Sequence, residues 1–318
     1  SLYSVFTVLF IYFTCISTVQ TTDCLHLREQ CINAGSRCES VWNVVEEACN
    51  ISVLGNRCTA EDTVGCNRII QVLADEYPEF KNCVCTTDDI CSITTLLGKL
   101  CGINKDNISM ETKLQWGLST LSKQVYTTNR SCLDVNRECV EDEVCNKQLS
   151  LYLKVCSVNK KCNVEGCQAA IRFFYRNMPF EVAQMMIFCD CVQHDESCHR
   201  AKELLHGKAC AVTVVPPPSC LNVIHMCEEN ELCRKKYTTF QSKCWRHVTK
   251  KCYNDEACLE TLLKDDMPCS ASADCKAAYI SNWGTMLHME CTCQNLPPVE
   301  QPLCELFHHM LHSKSCFS

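Results

Sequence analysis

Residues 132–156, CLDVNRECVEDEVCNKQLSLYLKVC, and residues 220–244, CLNVIHMCEENELCRKKYTTFQSKC, space their cysteines by the same steps of 7, 6 and 11. Residues 24–49, CLHLREQCINAGSRCESVWNVVEEAC, open with steps of 7, 7 and 11. Steps of 7 and 11 are close to two and three turns of an α-helix, so such cysteines return to one helical face. Between them apolar residues recur at helical intervals, as in Val140, Val144, Leu149 and Leu153, and few β-branched alternating runs compete. The fold class is therefore all-α: three disulfide-rich helical modules.

Working outward, each opening is followed by a Cys-x-Cys: Cys83-Val84-Cys85, Cys189-Asp190-Cys191 and Cys291-Thr292-Cys293. With Cys15 set aside, the cysteines fall into groups of ten, ten and twelve. Every group is even, so each module can close its own bridges, although spacing does not say which cysteine pairs with which. The third carries Cys252 and Cys258 as an extra pair. The modules span residues 24–101, 132–210 and 220–316. Residues 102–131 are polar and cysteine-free, a linker that would let the first module swing. Pro216-Pro217-Pro218 reads as a stiff polyproline spacer that fixes the second module against the third.

Thirty-three cysteines in 318 residues point to an oxidising compartment, because a reducing cytosol would leave so many thiols exposed to misoxidation. Residues 1–19 begin with an apolar, uncharged run, Leu2 to Val19, which reads as a cleaved signal peptide, with a signal anchor as the rival. No second apolar run follows to Ser318, so the expectation is either a secreted protein or a membrane anchor beyond Ser318. Sequons at Asn50, Asn107 and Asn129 are glycosylation candidates. A formal charge of −7 gives no reason to expect nucleic acid.

Catalytic signatures are missing from the sequence: there is no Gly-x-Ser-x-Gly, phosphate loop or dinucleotide fingerprint. His308, His309 and His312 include a pair at i, i+4, but no acidic third ligand sits at zincin spacing, so a solvated helix is the better reading. Cys198-His199 invites zinc in the same way, and disulfide pairing takes precedence in an oxidising compartment. No enzyme activity, metal or other cofactor is expected.

Several stretches carry a specific likeness: Leu27-Arg28-Glu29-Gln30-Cys31, Cys167-Gln-Ala-Ala-Ile-Arg-Phe-Phe-Tyr, Pro216-Pro-Pro-Ser-Cys220-Leu, Thr239-Phe-Gln-Ser-Lys-Cys244-Trp, Cys275-Lys-Ala-Ala-Tyr-Ile and Met310-Leu-His-Ser-Lys-Ser-Cys316-Phe. With the repeated cysteine pattern, they resemble the GDNF-family receptor-α ectodomains over residues 24–318. The resemblance implies a co-receptor on the extracellular face of the plasma membrane. Its expected ligand is a dimeric cystine-knot cytokine, growth/differentiation factor fifteen, and its expected signalling partner is the RET receptor tyrosine kinase. A secreted binder that sequesters the same ligand is the alternative.

The resemblance also implies a pairing. For the first module it is Cys24–Cys83, Cys31–Cys38, Cys49–Cys66, Cys58–Cys101 and Cys85–Cys91. For the second it is Cys132–Cys189, Cys139–Cys145, Cys156–Cys167, Cys162–Cys210 and Cys191–Cys198. For the third it is Cys220–Cys291, Cys227–Cys233, Cys244–Cys275, Cys252–Cys258, Cys269–Cys316 and Cys293–Cys304.

Ligand binding is expected on the helix after Cys139, at Val140, Glu141, Glu143, Val144, Asn146, Lys147, Leu149, Ser150 and Leu153. Leu149 and Ser150 are taken as the surface pair, so that Leu149→Arg should abolish binding without harming secretion. Glu141 and Glu143 depart from the family there. Kinase contact is expected at Arg234, Lys235, Lys236, Arg246, Lys250 and Lys251, in a stretch from Cys233 to Cys252 without an acid. Heparan sulfate and plain solvation are the other readings of those charges.

Overall fold

The computed structural model describes residues 23–33, 37–49, 51–54, 57–60, 63–81, 83, 116–127, 129–156, 164–176, 178–207, 209–264 and 269–317. Helices are numbered among these. The first module holds α1 (Cys24–Asn33), α2 (Arg37–Cys49) and α3 (Thr63–Glu76). The second holds α4 (Cys132–Glu141), α5 (Glu143–Val155), α6 (Val164–Arg176), α7 (Phe180–Ile187), α8 (Glu196–His206) and the short α9 (Ala209–Val212). The third holds α10 (Cys220–Glu229), α11 (Glu231–Cys244), α12 (Glu256–Lys264), α13 (Ala273–Ser281) and α14 (Gln301–His312).

The helical reading holds, with one addition. Ile51–Leu54 and Arg57–Ala60 form an antiparallel hairpin, β1 and β2, with Ile51 opposite Ala60. Two residues, Gly55-Asn56, separate the strands, and a two-residue Gly-Asn link is a hairpin signal that helical periodicity passes over.

Local chemistry sets the helix starts. Ser131 accepts from the Leu133 amide ahead of α4, and Ser219 accepts from the Asn222 amide ahead of α10. A single residue separates the first helix of each of these pairs from the second. There Asp142 accepts from the Cys145 amide and Asn230 from the Cys233 amide, each at 2.9 Å. Such caps satisfy donors that the first turn leaves orphaned. Pro179 stands at the entry to α7 and Pro302 in the first turn of α14, where a missing N–H costs nothing.

The second and third modules fold back on their own beginnings. The Cys132 amide donates to the Asp190 carbonyl and the Asp190 amide to the Arg130 carbonyl. The third module repeats this between Cys220, Thr292 and Pro218. In both, the residue between the cysteines of Cys-x-Cys makes a parallel bridge to the residue before the first helix, Ser131 with Asp190 and Ser219 with Thr292.

The bridges lock these arrangements. In the first module Cys24 bonds Cys83, Cys31 bonds Cys38 and Cys49 bonds Cys66. The second has Cys132–Cys189, Cys139–Cys145, Cys156–Cys167 and Cys191–Cys198. The third has Cys220–Cys291, Cys227–Cys233, Cys244–Cys275, Cys252–Cys258, Cys269–Cys316 and Cys293–Cys304. The pairings Cys58–Cys101, Cys85–Cys91 and Cys162–Cys210 each involve a cysteine outside the described residues.

The swinging first module is corrected by the contacts. Helices α2 and α3 pack on α6 of the second module. Arg172 on α6 meets Glu76 at the end of α3 with both arms, Nε to Oε1 at 2.6 Å and Nη2 to Oε2 at 2.9 Å. Both side chains are nearly buried, at 13% and 10% exposure, and the planar guanidinium suits such two-point recognition. Its remaining arm donates to the Gly284 carbonyl of the third module. Arg176 pairs with Asp75 beside it. One arginine thus ties three modules together.

Across the second and third modules, α13 packs on α6 and α7. Phe188, Tyr279 and Phe317 cluster there with ring centroids 4.7–5.9 Å apart. Gly284 sits at φ +78°, and a Cβ on it would lie 2.5 Å from the Gln168 carbonyl oxygen and 2.6 Å from Arg172 Cγ. Only glycine fits there without a shift.

Candidate ligand-binding surface

The α4–α5 pair presents the surface on which ligand was expected. Asp142 at the junction is buried and does more than cap α5. Its Oδ2 accepts from Ser119 Oγ at 3.0 Å, from the Thr120 amide at 2.8 Å and from Thr120 Oγ1 at 3.0 Å. Burial pushes this carboxyl up, but the amides of Cys145 and Thr120 and the two hydroxyls outweigh it and hold it below its ordinary value. Residues 116–123, read from sequence as linker, are therefore folded against the second module, with Trp116 and Leu121 buried.

The structure divides the expected residues by helical face. Glu141, Glu143, Asn146, Lys147 and Ser150 are exposed, and Val140 is 49% exposed. Val144 and Leu153 are half-buried against the core. Leu149 lies inside, at 2% exposure. Its placement on the surface is corrected, because α5 turns Cys145, Leu149 and Tyr152 inward together and seats Tyr152 on Phe174 at 5.7 Å. An arginine at 149 would bury an unpaired charge and harm folding rather than binding. The exposed stripe is polar: Lys147 pairs with Glu143 at 3.0 Å and Ser150 donates to Asn146 at 3.4 Å.

The basic stretch of the third module is less uniform than its sequence. Lys235 pairs with Glu231 at 2.6 Å, Lys250 with Glu228 at 3.2 Å and Lys243 with Asp274 at 3.1 Å. Arg234 and Arg246 donate to the carbonyls of Glu228 and Ser242, while Lys251 is exposed. Lys236 is corrected. Its ammonium is drawn inward to the Ser281 carbonyl at 2.7 Å, and burial, with Arg172 nearby, lowers it to about 8. It belongs to the junction between modules.

That junction is what sequence reasoning missed. Arg172 interrupts the apolar run Cys167-Gln-Ala-Ala-Ile-Arg-Phe-Phe-Tyr, and an arginine in a core-facing stretch signals a buried partner. Of the sequons, Asn129 is exposed with φ 62°, and Asn50 and Asn107 lie outside the described residues. In the histidine-rich end of the chain, His308 is exposed and the ring of His309 meets Trp245. Among the described residues two groups bring potential metal-ligand atoms together, Cys132, Cys189 and His206 in one and Cys220, Cys293 and Cys304 in the other. Their sulfurs are in disulfides, so they offer no thiolate to a metal. Among the described residues no helix is long and apolar enough to cross a membrane.

Helical repeats closed by Cys-x-Cys on their own first turn define a recognisable class. Residues 132–210 and 220–316 match the family described as GDNF/GAS1 domain. The human protein named GDNF family receptor alpha-like is 51% identical over 302 residues, covering 95% of this chain and 76% of that one. The mouse protein of the same name is 46% identical, covering 95% and 77%. A solved chain described as a growth factor/receptor complex aligns with TM-score 0.46 at 19% identity, over 59% of this chain and 92% of that one, too loosely to argue from. The chain belongs to the GDNF receptor-α family.

Proposed function

We propose that the chain is the extracellular part of a co-receptor that binds the dimeric cystine-knot cytokine growth/differentiation factor fifteen and presents it to the RET kinase. The observation that carries this reading is the likeness to proteins named as GDNF-family receptors over nearly the whole length. The second module takes the ligand on the exposed side of α4 and α5, with Val140 as the apolar contact and Glu141, Glu143, Asn146, Lys147 and Ser150 around it. The third module faces the kinase with Arg234, Lys235, Arg246, Lys250 and Lys251. Cys58–Cys101, Cys85–Cys91 and Cys162–Cys210 close within their own modules.

Immobilised ligand and the soluble chain test the surface. Val140→Arg and Ser150→Arg each weaken binding at least about tenfold, as central interface positions do, at unchanged secretion. Full affinity in both variants moves the site away from α4–α5. Peptide mapping of the unreduced protein tests the pairings, and a bridge between modules would contradict them.

A further inference from the structure

Between the second and third modules lies a cleft of about 490 Å3, inside the range of about 300–1,000 Å3 typical of small-ligand sites. Its floor is apolar. Trp283 and Tyr279 are buried there, His288 lies over the indole at 3.7 Å between centroids, and His206 meets the same ring edge-on at 5.0 Å. The rim is basic. Helix α8 brings Arg200 and Lys202, and the end of α14 with its following turn brings His312 and Lys314.

The charge balance sets this cleft apart in a chain of net charge −7. Three cations and four imidazoles, counting His199, line it against one carboxylate, Glu203. Asp190 lies close by and is already taken by Lys202 at 2.7 Å. Lys314 is exposed at the mouth of the cleft and makes no ion pair among the described residues, and partial loss of water around its ammonium, with Lys202 beside it, lowers it to about 8. Burial also lowers His288 to about 3, helped by His312 and Lys314, and His312 to about 4, helped by His308. His206 is pushed down by burial and then by Lys314, although it donates Nε2–H to the Met186 carbonyl at 2.6 Å. An anion would be drawn by Arg200 and Lys314, which are exposed at the rim, and would raise the imidazoles back toward their ordinary values.

We propose that this cleft binds a sulfate or phosphate ester carried on a sugar ring, the apolar floor taking the ring and Lys314, Arg200 and the imidazoles taking the ester. Binding takes up protons on the imidazoles, so by reciprocity affinity rises as the pH falls. The site is separate from the α4–α5 surface and from the exposed cations around α11.

Calorimetry on the intact chain tests it with glucosamine 6-sulfate, glucose 6-phosphate and a heparin tetrasaccharide, with unesterified glucosamine as the control. Both simple esters are expected to bind at about pH 6 and more weakly at about pH 7.4, while glucosamine does not bind. Lys314→Ala should weaken the esters about tenfold, the worth of one unit of charge interaction. Should that variant fail to secrete, the His288 and His312 ring-proton resonances of the unaltered chain should still move on adding either ester. No ester binding at about pH 6 overturns the proposal. So does heparin binding that survives Lys314→Ala and is lost in Arg246→Glu with Lys250→Glu. Inorganic sulfate binding as well as the esters would also count against it, since the floor would then contribute nothing.

Discussion

The second and third modules share a frame and differ in what they put on it. In both, a serine-capped helix ends on a side chain that caps the next helix, at Asp142 and at Asn230. In both, a bridge six residues apart pins the corner, Cys139–Cys145 and Cys227–Cys233. The cap is a buried carboxylate with three extra donors in one module and a neutral amide in the other. Five residues after Cys167 stands Arg172, and five after Cys275 stands Ile280, which is buried. Disulfides make the frame tolerant, so one position of the repeat can hold an ionic tie in one copy and ordinary packing in the next.

Exchanging that position is the hardest way to break the comparison. Arg172→Ile gives the second module the third module's residue and leaves Glu76 buried without its partner. Losing one member of a buried pair costs about 3–5 kcal/mol, which urea unfolding would register. Adding Glu76→Leu should recover most of the loss, because apolar replacement of a buried pair is often neutral. No recovery would mean that the Gly284 contact, rather than the ion pair, carries the stability.

Acid offers the next test. His288 and His312 have folded values of about 3 and about 4, below the ordinary histidine value. Between those values and about 6.5 the unfolded chain binds more protons, so stability is complete above that range and falls as the pH drops through it. At about pH 5 each contributes a loss of roughly 2 kcal/mol. Stability measured from pH 7 downward should therefore decline well before the carboxylates titrate, and His288→Gln should flatten part of that slope.

The caps come next. Asn230→Ala should cost about 1 kcal/mol, an ordinary cap. Asp142→Ala should cost more, about 2–3 kcal/mol, because hydrogen bonds to a charged group are stronger and residues 119 and 120 lose their acceptor. Equal losses at the two caps would show that the Ser119 and Thr120 contacts contribute little. The smallest effect on stability, within about 0.5 kcal/mol, is expected for Arg246→Glu with Lys250→Glu. There signalling should fall while ligand affinity stays, and unchanged signalling would remove the kinase from that surface.

The repeat was legible because cysteine steps of 7 and 11 return to one helical face, and the structure breaks each helix pair of the second and third modules within the step of 6. Which apolar residue faces inward was not. Val140 and Leu149 look alike in spacing, yet one is half exposed and the other enclosed, because Val140 stands on the open side of α4 while α6 packs against α5, which carries Leu149. Lys236 shows the same limit: its charge suggests surface, and only the approach of Ser281 and Arg172 from two modules explains its burial. Arg172 was readable as an anomaly in an apolar run, but its partner Glu76 lies 96 residues away, beyond any local pattern.

Gly284 has a mechanical consequence. With the Arg172 backbone nitrogen 2.7 Å from where a Cβ would sit, the second and third modules meet there almost backbone to backbone. This contact acts as a fulcrum between the two modules, and α11 is tied in close beside it through Lys236 on the Ser281 carbonyl. A methyl group at 284 would wedge the fulcrum open and change the angle between the two modules. Gly284→Ala would thus leave every exposed residue of α5 and α11 untouched and still change how the two modules are set against each other.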